Sequence, residues 1–139
     1  MSRMALVMVT VIGVGTVARP DEKHERESVR QLTARDIAEK LDGKEAKATA
    51  VEVTLEPGQE SAAHRHPGPA FGYVLEGEYE WAIDDQPAKV LKVGETFYEP
   101  GGCLHRVSKN PGKVKTRLIA VVLHPRDAKK VAVPESRKD

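Results

Sequence analysis

Cysteine is almost missing from this chain of 139 residues; Cys103 stands alone. A single thiol excludes an intramolecular disulfide framework and any cysteine-rich zinc module. No charge of one sign dominates. Lys and Arg number 22 against 21 Asp and Glu, a formal net charge of +1. A nucleic-acid-binding surface needs a strong basic excess, so that class of partner is excluded. Aromatic residues make up 4% of the chain and all fall between positions 71 and 98, which points to that stretch as the bulk of the core. Repeats and low-complexity segments are lacking. The length allows one domain.

One long uncharged run is present, at residues 4–18 behind Arg3, and it is too short to span a bilayer comfortably. Thr16 and Ala18 place small residues where a signal peptidase reads, and Arg19-Pro20 follows at once. Residues 1–18 are therefore expected to be a cleaved signal peptide, with a periplasmic or secreted mature protein that has no membrane segment. Residues 19–45 then form an expected charged arm, in which His24 reads as a solvated histidine. The arm carries a short helix near residues 32–41, with Thr33 as cap, Asp36 three residues on, Leu32 and Ile37 as a staple, and Gly43 just beyond its end.

Beyond the arm the period changes to two. Val51, Val53 and Leu55 alternate with Glu52, Thr54 and Glu56 before Pro57-Gly58 turns the chain. Further strands are predicted over 71–76, 79–83, 88–93, 96–99 and 114–123, punctuated by Gly77, Asp84-Asp85, Gly94, Pro100-Gly-Gly102 and Pro111-Gly112. Many short strands between close turns predict an all-β barrel or sandwich over 46–125. The tail, 126–139, is polar except for Val131-Ala-Val133, a candidate edge strand.

Three of the five histidines carry a chemical pattern. His64 and His66 are two apart on a predicted strand, so both face one way. His105 re-enters a strand after the tight turn at Pro100-Gly-Gly102. Imidazoles on two rigid strands can converge on one ion at about 2.0–2.2 Å.

At these residues the chain resembles the cupins. Their first motif is matched by Gly58, His64, His66 and Gly77, and their second by Gly94, Pro100, Gly102 and His105. Lys109 stands where the second motif has Asn, with Asn110 one place later. The resemblance covers residues 51–123 and implies a cupin-type β-barrel (a double-stranded β-helix or jelly roll), here with a short N-terminal helix. It also implies a metal inside. The family's glutamate ligand falls at position 70, where this chain has Ala70, so the resemblance leaves a three-histidine shell of His64, His66 and His105. Glu60, Tyr73, Tyr98 and Glu99 are candidates to reach the cavity, each more readily explained as packing or surface. Cys103 reads as a packed small hydrophobe and His124 as a strand-end surface residue.

Three neutral imidazoles leave a divalent ion its full charge, which makes it a strong Lewis acid toward a chelating substrate. The ligands suit iron, zinc, copper or nickel alike. The resemblance implies a small-molecule enzyme, with dioxygenase chemistry as the leading class; a non-catalytic exported module and a metal-dependent isomerase or hydrolase are the alternatives. Pairing into a homodimer is expected.

Overall fold

The structure is a computed structural model that describes residues 27–136. The expected signal peptide and the front of the charged arm, with His24, lie outside the described residues. Ten strands follow in order: β1 (Ser28–Leu41), β2 (Lys44–Leu55), β3 (His64–Arg65), β4 (Ala70–Glu76), β5 (Tyr79–Ile83), β6 (Lys89–Leu91), β7 (Thr96–Glu99), β8 (Leu104–Lys109), β9 (Thr116–Pro125) and β10 (Val133–Pro134). They form two five-stranded antiparallel sheets, ordered β1-β2-β9-β4-β7 and β10-β3-β8-β5-β6. The expected all-β architecture is present.

The helix expected over 32–41 is absent; those residues belong to β1, the edge strand of the first sheet. Asp42 and Gly43 both take positive φ, 51° and 75°. That is the backbone of a two-residue hairpin turn, whose twist matches the strands it joins. Gly43, expected as a helix stop, is therefore the second residue of a hairpin turn. From Val29↔Val53 to Leu41↔Lys44, β1 pairs along β2. The long pairing satisfies the inner-edge backbone groups of a strand whose side chains are nearly all exposed. The charged arm is thus part of the barrel's first sheet from Ser28 onward.

Between the sheets, alternate residues turn inward. Leu55, Val74, Phe97 and Leu118 from the first sheet meet Tyr79, Trp81 and Ile83 from the second in one buried cluster. In β4 the inward set is Ala70, Gly72 and Val74, and in β7 it is Phe97 and Glu99. Gly72 lies directly opposite Phe97, whose ring covers it. A Cβ at Gly72 would come within 1.9 Å of that ring, so only glycine fits. Outside, Phe71 and Tyr98 stack with ring centroids 5.1 Å apart. The tail does add a short strand: β10 pairs with β3, and Arg65 bonds both Glu135 and the Gly102 carbonyl.

Candidate metal centre

His64 on β3 is the cross-strand partner of His105 on β8, so the two imidazoles leave neighbouring strands on one face. His66 follows two residues after His64 and rejoins that face just past the strand end. The nitrogens these three rings offer all lie within 4.8 Å of one another. The ring of His64 sits between the others, at 4.9 Å from His66 and 4.8 Å from His105. The three residues paired in the sequence by spacing alone are brought together.

Hydrogen bonds decide which nitrogen of each ring is bare. A carbonyl only accepts, so His64 Nδ1–H donates to Ala62 O at 2.9 Å, and His66 Nδ1–H donates to Val131 O. In both rings the lone pair is left on Nε2. His105 is turned the other way. The Glu27 carboxylate accepts the Ser61 hydroxyl, whose oxygen accepts Ser108 Oγ–H at 3.0 Å. Ser108 in turn accepts the Tyr79 hydroxyl at 2.9 Å, so the Tyr79 oxygen accepts His105 Nε2–H at 3.3 Å. The lone pair of His105 is therefore on Nδ1. This is the outer-shell arrangement that orients metal-binding histidines, extended through three hydroxyls to a carboxylate.

Glu99 lies beside two of these rings, 1% exposed. Its Oε1 accepts Trp81 Nε1–H at 2.9 Å and stands 3.1 Å from His105 Nδ1; its Oε2 is 3.3 Å from His66 Nε2. The distances are those of ion pairs, but burial opposes charge on both sides. Desolvation raises the Glu99 carboxyl above its usual range, against the Trp81 bond and the nearby His64. Desolvation also lowers His66, and drives His105 down to about 3 with help from His64 and His66. Burial thus favours the neutral form of His66 and His105, the form in which an imidazole binds a metal. Glu99 Oε2 and His105 Nδ1 are buried without a hydrogen-bond partner. Leaving such an atom unpaired costs about 1–3 kcal/mol. The donor set fits a divalent transition metal, which would satisfy both.

The other sequence candidates separate cleanly. Glu60 is exposed, 3.9 Å from Lys109 on the surface. Tyr73 and Tyr98 point outward from β4 and β7. Cys103 packs against the core cluster as expected. His124, expected on the surface, is buried: its Nδ1–H donates to Pro125 O and its Nε2 accepts the Thr49 hydroxyl at 2.9 Å. Glu99 was legible only in part. Its parity with Phe97 aims it inward, but two adjacent aromatics, Phe97 and Tyr98, obscure which face of β7 is buried. Tyr79, Ser108 and Ser61 left no signal in the sequence.

The histidines and Glu99 line a cavity of about 200 Å³ together with Val29, Val51, Val53, Ala120 and Val122. Among the described residues lining it there is no lysine or arginine. A larger depression of about 390 Å³ opens on the far side of Ser61 and Ser108 and contains no histidine.

A family model described as a cupin domain matches residues 51–122, and the chain belongs to that family. No curated protein sequence is significantly similar to it. Among solved structures, it is similar to an uncharacterized protein with a double-stranded β-helix domain from Klebsiella pneumoniae. That match has a TM-score of 0.62 and 22% identity over 84% of this chain and 90% of the other. It is also similar to the DMSP lyase DddQ from Ruegeria pomeroyi, with a TM-score of 0.60 and 19% identity over 84% of this chain and 57% of the lyase. An oxalate oxidase in complex with the substrate analogue glycolate matches with a TM-score of 0.56 and 24% identity, over 81% of this chain and 56% of the oxidase. The chain spans little more than half of either enzyme. These likenesses establish the fold.

Proposed function

We propose that the chain is a metal-dependent cupin enzyme with oxygenase chemistry on a small molecule, centred on one divalent ion held by His64, His66 and His105. The observation that carries the reading is the convergence of three imidazoles, oriented by Ala62, Val131 and Tyr79, on a small cavity. When bound, a redox-active ion such as iron supplies the Lewis acidity and electron transfer that oxygen chemistry on a chelating substrate needs. The protein's own part is to hold the ligands through Ala62, Val131 and Tyr79 and to surround them with valine and alanine side chains. The histidines act as ligands, since a coordinated nitrogen does not shuttle protons. Thiols, diketones and phenols suit the cavity better than a small dianion, because its described lining offers no cationic side chain. The lyase and the oxidase among the structural neighbours also act on small molecules, which supports that substrate scale.

Residues 1–18 are proposed to export the chain, and the mature protein then takes its metal outside the cytoplasm. The test is elemental analysis of the mature protein, purified without chelator or nickel resin, beside His105→Ala. One iron per chain, lost in the variant, with oxygen uptake on a thiol, diketone or phenol, is the expected result. Zinc or copper held without turnover would move the assignment to a binding module, and no metal in either protein would overturn the centre itself.

A further inference from the structure

We infer that Glu99 is the fourth protein ligand of this centre, supplied from β7 in place of the glutamate that the family carries at the position of Ala70. The inference rests on the metal reading above and completes it.

Register carries the first part. Ala70 on β4 and Glu99 on β7 are direct cross-strand partners. Side chains opposite each other in an antiparallel pair share a face, with Cβ atoms about 4.5–5.5 Å apart. A carboxylate at 99 therefore reaches the space that one at 70 would enter. Both residues are 1% exposed, so the two positions open into the same interior. Alanine at 70 leaves that space to the longer side chain coming from the other strand. The ligand has crossed one step of the sheet.

Hydrogen bonding carries the second part. His64 Nε2, His66 Nε2 and His105 Nδ1 are all bare, for the reasons given by Ala62, Val131 and the chain from Tyr79 to Glu27. Glu99 faces two of these lone pairs, at 3.1 and 3.3 Å. Its Oε2 and the Nδ1 of His105 have no donor within the protein. Acceptors facing acceptors need something positive between them. A proton on Glu99 can serve one nitrogen, whereas a metal ion serves the carboxylate and all three rings together. The Trp81 bond to Oε1 holds the carboxylate in place and leaves Oε2 for the ion. A shell of three neutral imidazoles and one carboxylate lowers the charge of a divalent site from +2 to +1.

The test uses Co(II) as probe on the full chain, with its visible absorption reporting the ligand set and a chromophoric chelator reporting affinity. Glu99→Gln keeps the shape of the side chain and the bond from Trp81. It is expected to weaken Co(II) binding by more than 100-fold, beyond the 10–100-fold typical of outer-shell changes, and to alter the visible spectrum. The paired variant Glu99→Ala with Ala70→Glu returns a carboxylate from the family's position. It is expected to restore both affinity and spectrum. Unchanged affinity and spectrum in folded Glu99→Gln would overturn the inference, as would weaker binding with an unaltered spectrum, which would reduce Glu99 to positioning the histidines. If Glu99→Gln does not fold, the paired variant decides: Co(II) bound with the native spectrum supports the inference, and a folded protein without Co(II) overturns it. Loss of Co(II) in His105→Ala but not in Glu99→Gln would retain the three-histidine centre and reject Glu99 alone. A native chain that binds no Co(II) would reject both.

Discussion

At Asn110 a single side chain holds together two ends of the fold. Its amide donates to Leu55 O at 3.0 Å and to Val114 O at 2.8 Å, while its Oδ1 accepts Gly112 N–H at 2.9 Å. The residue is fully buried. In the sequence it stands one place after the position where the second cupin motif has its asparagine. Lys109, at that position, lies instead 3.9 Å from Glu60 on the surface. Asn110→Ala would strand two carbonyls and one amide, and is expected to cost about 2–4 kcal/mol at roughly 1 kcal/mol or more per bond. Urea unfolding with an unchanged m-value would check it. Cys103 provides a second residue-scale prediction. Burial, followed by the carboxylates of Glu99 and Asp84, pushes its thiol up to about 11. The thiolate is the nucleophile, so alkylation by iodoacetamide at pH 8 should run about 100-fold slower than for an exposed thiol and speed up tenfold per pH unit toward pH 10. Rapid labelling at pH 8 would show that Cys103 is not packed as described.

Among the elements, β4 and β7 matter most, because their pairing sets both the core and the carboxylate. Gly72 and Phe97 are opposite each other two pairs along from Ala70 and Glu99, with Phe71 and Tyr98 between them. Gly72→Ala would push the Phe97 ring aside and disturb the register that aims Glu99. The expected loss is about 1–3 kcal/mol from overpacking, together with weaker Co(II) binding although no ligand is changed. Unaltered melting in this variant would show that β7 yields freely. The β1–β2 hairpin teaches a different lesson. Thr33, Asp36 and Gly43 are good helix punctuation, and an isolated segment of this composition has no strong reason to prefer a strand. What decides is the Asp42-Gly43 turn, which folds the segment back on β2 and pairs its inner edge along almost its whole length.

For the molecule as a whole, the two sheets hold an apolar core and, beside it, a cavity in which three histidines and Glu99 sit among valines. The tail lines that cavity, with Val131 O accepting from His66. The outer edge of β1 is a long exposed strand, the kind of edge that pairs with another chain unless covered or blunted. The expected homodimer is checked by light scattering on the purified mature protein; a mass equal to one chain would overturn it.

Much of this protein was legible without coordinates, for a physical reason. Strand alternation, turn glycines and the spacing of His64, His66 and His105 are local properties, and a period of two puts His64 and His66 on one face whatever the rest of the chain does. Gly94, Pro100 and Gly102 likewise placed the turn before His105. The remainder depends on which strands lie side by side, which no local pattern contains. Ala70 marked a missing ligand, but only the pairing of β4 with β7 puts Glu99 beside that gap. His124 ends a strand in sequence, yet the β2–β9 register buries it against Thr49. The bare nitrogen of His105 follows from hydroxyls on β5 and β8 and in the segment before β3. Sequence determined the barrel, its turns and three of the side chains at the centre. Tertiary register decided the carboxylate and the orientation of each ring, because both depend on neighbours that are far apart along the chain.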